Sequence, residues 1–202
     1  MPRTPSGPWN PDRQVMSVFR TTIFPGRYVQ GVGAMARLGQ ELKRFGPKAL
    51  AICSTFVCDS ILPAFRSAIE QDVELRVARF GGECCDDEIE RVAQAAREFG
   101  ASSIAGIGGG KSLDTAKAAG FAAGVPAASV PTAASTDAPT SALSVVYTPG
   151  GQFQRYLFLP TNPALVLVDT QVVATAPIRF LVSGMGDALA TWFEAYSCRQ
   201  AF

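Results

Sequence analysis

Four glycines and one lysine stand together in Gly106-Ile-Gly-Gly-Gly-Lys-Ser-Leu-Asp114, where an apolar run gives way to a helix-forming segment. Glycines at such a junction let backbone amides approach a phosphate. The helix that follows aims its free N–H groups and positive dipole end at the same place. Gly109 and Gly110 would make that contact, Lys111 adds a positive charge, and Ser112 can serve as helix N-cap or phosphate ligand. Two familiar phosphate loops do not fit. A Walker A loop needs glycine where Ala105 stands, and a Gly-x-Gly-x-x-Gly fingerprint starting at Gly106 needs glycine where Lys111 stands.

A second constellation follows in Val130-Pro-Thr-Ala-Ala-Ser-Thr-Asp-Ala-Pro-Thr-Ser-Ala-Leu143. Thr132, Ser135, Thr136, Thr140 and Ser141 gather short hydroxyls around one carboxylate, Asp137, in a loop after a strand. Loops at the strand ends of a parallel sheet are where ligands bind, and this one suits a ribose or a polyol. A phosphorylated substrate would want basic residues near Asp137, and the nearest in sequence is Arg155. The third constellation is Gly184-Met-Gly-Asp-Ala-Leu-Ala-Thr-Trp-Phe-Glu194. There Asp187 lies in or just before an otherwise apolar helix, as a cap or a functional ligand; the helix dipole favours the cap. The chain has no histidine, so it cannot by itself build a histidine base, a catalytic triad or a multi-histidine metal site.

The elements that must position these groups alternate regularly. Met35, Leu38, Leu42 and Phe45 recur at helical spacing up to Gly46-Pro47, and Ala49–Cys53 is an apolar run suited to a strand buried on both faces. A helix through Ile61, Leu62, Phe65 and Ile69, a strand at Val73–Phe80, a helix carrying Ile89, Val92, Ala93, Ala96 and Phe99, and a strand at Ser103–Ile107 follow. That alternation predicts an α/β fold, a Rossmann-like parallel sheet with right-handed crossovers. Ala127–Pro131 and Leu165–Asp169 add strands, with a hairpin of Ser144–Thr148 and Gln154–Phe158 between them. Beyond Pro177 a helix carries Leu181, Val182, Met185, Leu189, Trp192, Phe193 and Tyr196, enough apolar surface to expect partners on several sides. The expected organisation is a disordered leader over 1–20, a nucleotide-binding α/β domain over 21–176, and the incomplete beginning of a second, helical domain over 177–202.

Bulk properties narrow the function. The 202 residues are 48% apolar and 17% charged, which suits a large core. With 18 basic and 17 acidic residues the net charge is +1, too small to favour nucleic acid or an anionic membrane as a partner. No run approaches the roughly 20 apolar residues of a membrane span. Five cysteines without regular spacing argue against a disulfide framework, so a cytoplasmic location is expected.

The motifs at 108–114, 134–141 and 184–195, in that order, resemble the iron-containing (group III) alcohol dehydrogenase superfamily, on its glycerol dehydrogenase branch. The resemblance runs from about Ile23 onward. It implies that Gly109, Gly110 and Lys111 hold the pyrophosphate of NAD. Thr132, Ser135, Ser141, Leu143 and Tyr147 would line its adenosine and nicotinamide sites. Asp137 would meet the substrate hydroxyls and Asp187 would be a ligand of Zn²⁺. The implied reaction is oxidation of glycerol or a related vicinal diol to the hydroxyketone, the metal acting as Lewis acid and hydride passing to the nicotinamide. The implied partners are a small polyol and, when complete, copies of the same chain. Two departures stand out. The superfamily draws two further metal ligands, both histidines, from its later helical domain, and here there are none. Ser54-Thr55 also stand where an acidic residue often holds the adenosine ribose, which loosens the preference for NAD over NADP. A truncated, inactive nucleotide-binding fragment, or a related dehydrogenase with another polyol substrate, are the alternatives.

Overall fold

The computed structural model describes residues 21–201, so the expected leader over 1–20 lies outside the described residues. Six strands form one wholly parallel sheet: β1 (Tyr28–Gly31), β2 (Lys48–Cys53), β3 (Glu74–Arg79), β4 (Ser103–Gly108), β5 (Ala127–Pro131) and β8 (Leu165–Asp169), in the order β1-β8-β5-β4-β2-β3. Between β5 and β8 the chain makes an antiparallel hairpin, β6 (Leu143–Tyr147) with β7 (Phe153–Phe158). The α/β, Rossmann-like architecture expected from the alternation is therefore present.

Helices cover both faces, which is why the central strands are apolar apart from the buried Ser103 and Ser129. On one face a 3₁₀ turn (Ala34–Arg37), α1 (Leu38–Leu42) and α2 (Pro63–Glu70) bury Met35, Leu38, Leu42 and Ile69 against Ala49, Ala51, Ile107 and Val130. The single helix expected around Met35–Phe45 is thus split in two. On the other face α3 (Asp86–Phe99) and α4 (Gly110–Ala123) bury Val92, Ala96, Ala116 and Ala119 against Leu50, Ile52 and Ile104. Alternate residues of β2 feed the two cores, as the two-residue period of a strand requires.

The end of β8 is tied down by one carboxylate. Buried Asp169 accepts from the amides of Gln171 and Val172 at the start of α5 (Thr170–Ala174), and also from Gly33 at 3.2 Å and Met35 at 2.9 Å. Helix α6 (Ile178–Ala201) follows, and none of its residues is buried. Trp192, Phe193 and Tyr196 stand exposed, so the partners expected for this helix are not supplied by the described residues. Among those residues no helix is long and apolar enough to cross a membrane.

One glycine decides how α4 lies on the sheet. A Cβ at Gly106 would come 2.7 Å from the Ala116 Cβ and 3.0 Å from the Ser112 carbonyl oxygen, so the absent side chain lets helix and strand touch. Gly106→Ala should lower unfolding free energy by about 1–3 kcal/mol through overpacking. It would be read as a drop in urea midpoint at constant slope. An unmoved midpoint would show that α4 can lift from β4 without loss.

Candidate functional site

The chain leaves β2 toward β3 on one side, then returns across β2 to β4 on the other. A crevice therefore opens at the carboxyl ends of β2 and β4, the position where open α/β sheets bind ligands. Gly108 closes β4 there, and its carbonyl accepts the Thr132 amide at 3.1 Å, which brings the loop after β5 beside the glycine loop.

The N-terminus of α4 faces this crevice with no side-chain cap. Its N-cap is Gly109, in extended conformation, and the first internal bonds run from Ser112 and Leu113 to the Gly109 carbonyl. The amides of Gly110 and Lys111 precede those bonds and remain for a ligand. A Cβ at Gly109 would meet nothing within 4 Å, so open space lies in front of the helix end. Such a cradle fits a pyrophosphate. Ser112 is not the N-cap; it lies within the first turn, 3% exposed, and its hydroxyl donates to the Gly109 carbonyl at 2.9 Å. Lys111 is held at the rim, its ammonium 2.7 Å from the Glu83 carboxylate and 5.1 Å from the centre of the Tyr147 ring.

The residue that sequence reasoning missed is Lys117. Its side chain is 1% exposed and sits 2.9 Å from the carboxylate of Asp114, itself 8% exposed. The same ammonium donates to the carbonyl of Ala138 at 2.8 Å, the hydroxyl of Ser141 at 3.1 Å, and the carbonyl of Leu143. Asp114 in turn accepts the Val145 amide at 3.0 Å, and its carbonyl accepts the Ser144 hydroxyl at 2.9 Å. One buried ion pair in α4 thus pins the second half of the polar loop and the start of β6. Burial raises the Asp114 carboxyl above its ordinary range, and the charge of Lys117 works against that rise. Tyr147, at the far end of β6, is tied by its amide to the Cys84 carbonyl at 2.8 Å.

The first half of the loop is met by α6. Asp187 lies ten positions into that helix, so the expected N-cap role is not what the structure contains. Its carboxylate instead accepts the backbone amide of Asp137 at 3.0 Å, and the Ser183 hydroxyl donates to the Ser135 carbonyl at 3.3 Å. Gly184 lets α6 lie close against this loop: a Cβ there would collide with the Ala134 carbonyl oxygen. Asp137 and Asp187 share an open cleft of about 350 Å³ with Thr136, Met185 and Thr191. Arg155 does not reach Asp137; it pairs with Asp86 at 2.6 Å. A catalytic zinc commonly takes three protein ligands. Among the described residues no three acidic, cysteine or histidine side chains are so grouped, and Asp187 alone does not make such a site.

Lys117→Met would strand the buried Asp114 charge and should cost about 3–5 kcal/mol of stability. The double change Asp114→Asn with Lys117→Met should recover part of that loss, because neither charge is left unpaired. Equal losses in both variants, measured by urea unfolding, would show that the ion pair is not what the loop depends on.

The family model for iron-containing alcohol dehydrogenases matches residues 25–170. A glycerol dehydrogenase of Thermotoga maritima is 57% identical over 182 residues, which are 90% of this chain and 50% of that protein. A glycerol dehydrogenase of Pseudomonas putida is 54% identical over 172 residues, covering 85% of this chain and 47% of that one. The crystal structure of a probable glycerol dehydrogenase from Sinorhizobium meliloti superposes with a TM-score of 0.80 at 43% identity, covering 87% of this chain and 48% of that chain. The chain spans about half the length of the curated relatives it matches. Parallel sheet, glycine loop and hydroxyl-rich loop all fall within the matched residues, and the chain belongs to the iron-containing alcohol dehydrogenase family.

Proposed function

We propose that this chain forms the nucleotide-binding half of an NAD-dependent dehydrogenase that oxidises glycerol or a related vicinal diol. The observation that carries the reading is the uncapped N-terminus of α4, with open space before Gly109 and the hydroxyl-rich loop at its side. Gly109, Gly110 and Lys111 would hold the pyrophosphate, Lys111 exchanging Glu83 for phosphate oxygens. Thr132, Ser135, Ser141, Leu143 and Tyr147 would line the nucleoside sites. Bound there, NAD would supply the hydride acceptor for oxidation of the substrate carbon.

Asp137 is the residue we assign to the substrate hydroxyls; it is exposed at the open cleft and is the loop's one carboxylate. Asp187 would serve a metal ion only with ligands from outside these residues. In this reading residues 21–176 are the nucleotide domain and α6 opens the helical domain, in a cytoplasmic homo-oligomer that binds no nucleic acid or membrane. The near-neutral charge and the unpaired cysteines support that setting. A second reading, a nucleotide-binding module without catalysis, is favoured by the lack of histidine.

Titration calorimetry with NAD tests the nucleotide site. Gly109→Val should leave the melting temperature of the free chain unchanged, since the added atoms enter open space, yet weaken NAD binding by about tenfold or more. Equal affinity in both would remove the pyrophosphate from this loop. Formation of NADH from glycerol and NAD in the presence of Zn²⁺ decides between enzyme and binding module.

A further inference from the structure

Cys53 is the last residue of β2, and Cys58 lies five residues on, in a π-helical turn (Val57–Ile61) that begins just past the crevice edge. Their sulfurs are 2.8 Å apart, closer than two thiols without a bond normally rest, and both are free. The Cys58 amide donates to the Ser54 carbonyl at 2.9 Å, and the Val57 amide to the Ser54 hydroxyl at 3.4 Å, so the intervening turn is already folded for the approach. The sulfurs need to close by less than about 1 Å to reach the roughly 2.05 Å of a disulfide.

The two thiols differ in access. Cys53 is fully buried, and burial, followed by the hydrogen bond with Cys58, pushes its thiol far above the ordinary range. Cys58 is half-buried and opens on a cleft of about 320 Å³ that Arg66 and Arg79 also line. Both guanidinium groups are paired, Arg66 with Glu70 at 2.8 Å and Arg79 with Asp59 at 2.7 Å, and these exposed pairs can exchange a partner for the carboxylates of a small oxidant.

We propose that Cys53 and Cys58 form a site of reversible oxidation, closing a disulfide across the turn that holds Ser54-Thr55. The oxidant is a small disulfide bearing carboxylates, of the glutathione class. Cys58, as thiolate, attacks one sulfur of that disulfide; the oxidant's S–S bond breaks and one small thiolate leaves. Cys53 then attacks the Cys58 sulfur of the mixed disulfide, and its proton passes to the second small thiolate as that group is expelled as a thiol. The protein pair is oxidised by two electrons and the oxidant is reduced to two thiols. Val57, between the cysteines in the chain, packs within about 4.0 Å of the position a Cβ would take at Gly108, so the cross-link would border the glycine loop. The proposal does not depend on the nucleotide reading.

The test is direct, because trypsin releases both cysteines in one peptide, residues 49–66, with no Lys or Arg between its ends. The folded chain is incubated with oxidised glutathione, then denatured and alkylated. The expected product is a 49–66 peptide two hydrogens lighter, without alkyl groups, and restored by dithiothreitol. In Cys53→Ser the mixed disulfide should instead persist on Cys58. Exposed Cys198 serves as control that the oxidant reacts. A 49–66 peptide that carries two alkyl groups while Cys198 is glutathionylated would overturn the proposal. So would a stable mixed disulfide on Cys58 in the unaltered chain.

Discussion

Lys117 brings a full positive charge into the interior at the point where α4, the polar loop and β6 meet, and Asp114 one turn earlier is its counter-ion. Desolvating two charges is expensive, and a well-packed apolar pair of similar size often does as well for stability. What an apolar pair could not do is satisfy the carbonyls of Ala138 and Leu143, the Ser141 hydroxyl and the Val145 amide together. Without those partners the loop would either expose its backbone to the crevice or leave buried polar groups unpaired, at a cost for each of about 1–3 kcal/mol. The ion pair therefore sets the shape of the site more than it sets the stability of the sheet.

The same helix does a second job. Gly106 lets α4 lie close on β4, and that closeness sets where the helix end opens beside the crevice. Its first turn leaves amides free at the crevice, and its second and third turns fix the polar loop beside it. A shift of α4 would therefore move both at once. Coupling of this kind explains why the glycine-rich segment and the lysine seven residues after Gly110 belong to one functional unit, although only the former looks like a motif.

The other end of the loop depends on α6, which is far less secure. Its docking rests on Asp187 to the Asp137 amide, Ser183 to the Ser135 carbonyl, and the close approach at Gly184. Its apolar residues remain exposed, as do Phe153 and Phe158 of the hairpin. The loop is thus anchored through a buried charge on one side and through a solvent-exposed helix on the other.

Much of the fold was legible in the sequence. Predominantly apolar strands, amphipathic helices and the order in which they alternate define a parallel α/β sheet, because those patterns reflect burial, a short-range property of each segment. The glycine loop was legible too, since close backbone approach leaves no substitute for glycine. The roles of Lys117 and Asp187 were not. Asp114 and Lys117, three apart in a helix, have the spacing of an ordinary surface pair; only packing of α4 beneath β6 and the polar loop buries them. Gly184 and Gly186 before Asp187 look like a helix start, yet α6 passes through both, and the glycine at 184 serves instead to admit the Ala134 carbonyl where a side chain would stand. The sequence by itself determined the elements, their order and the glycine-rich strand–helix junction. Which polar groups are buried, and which carboxylate touches which loop, was decided by tertiary structure, because those contacts join residues that lie 21 to 50 positions apart.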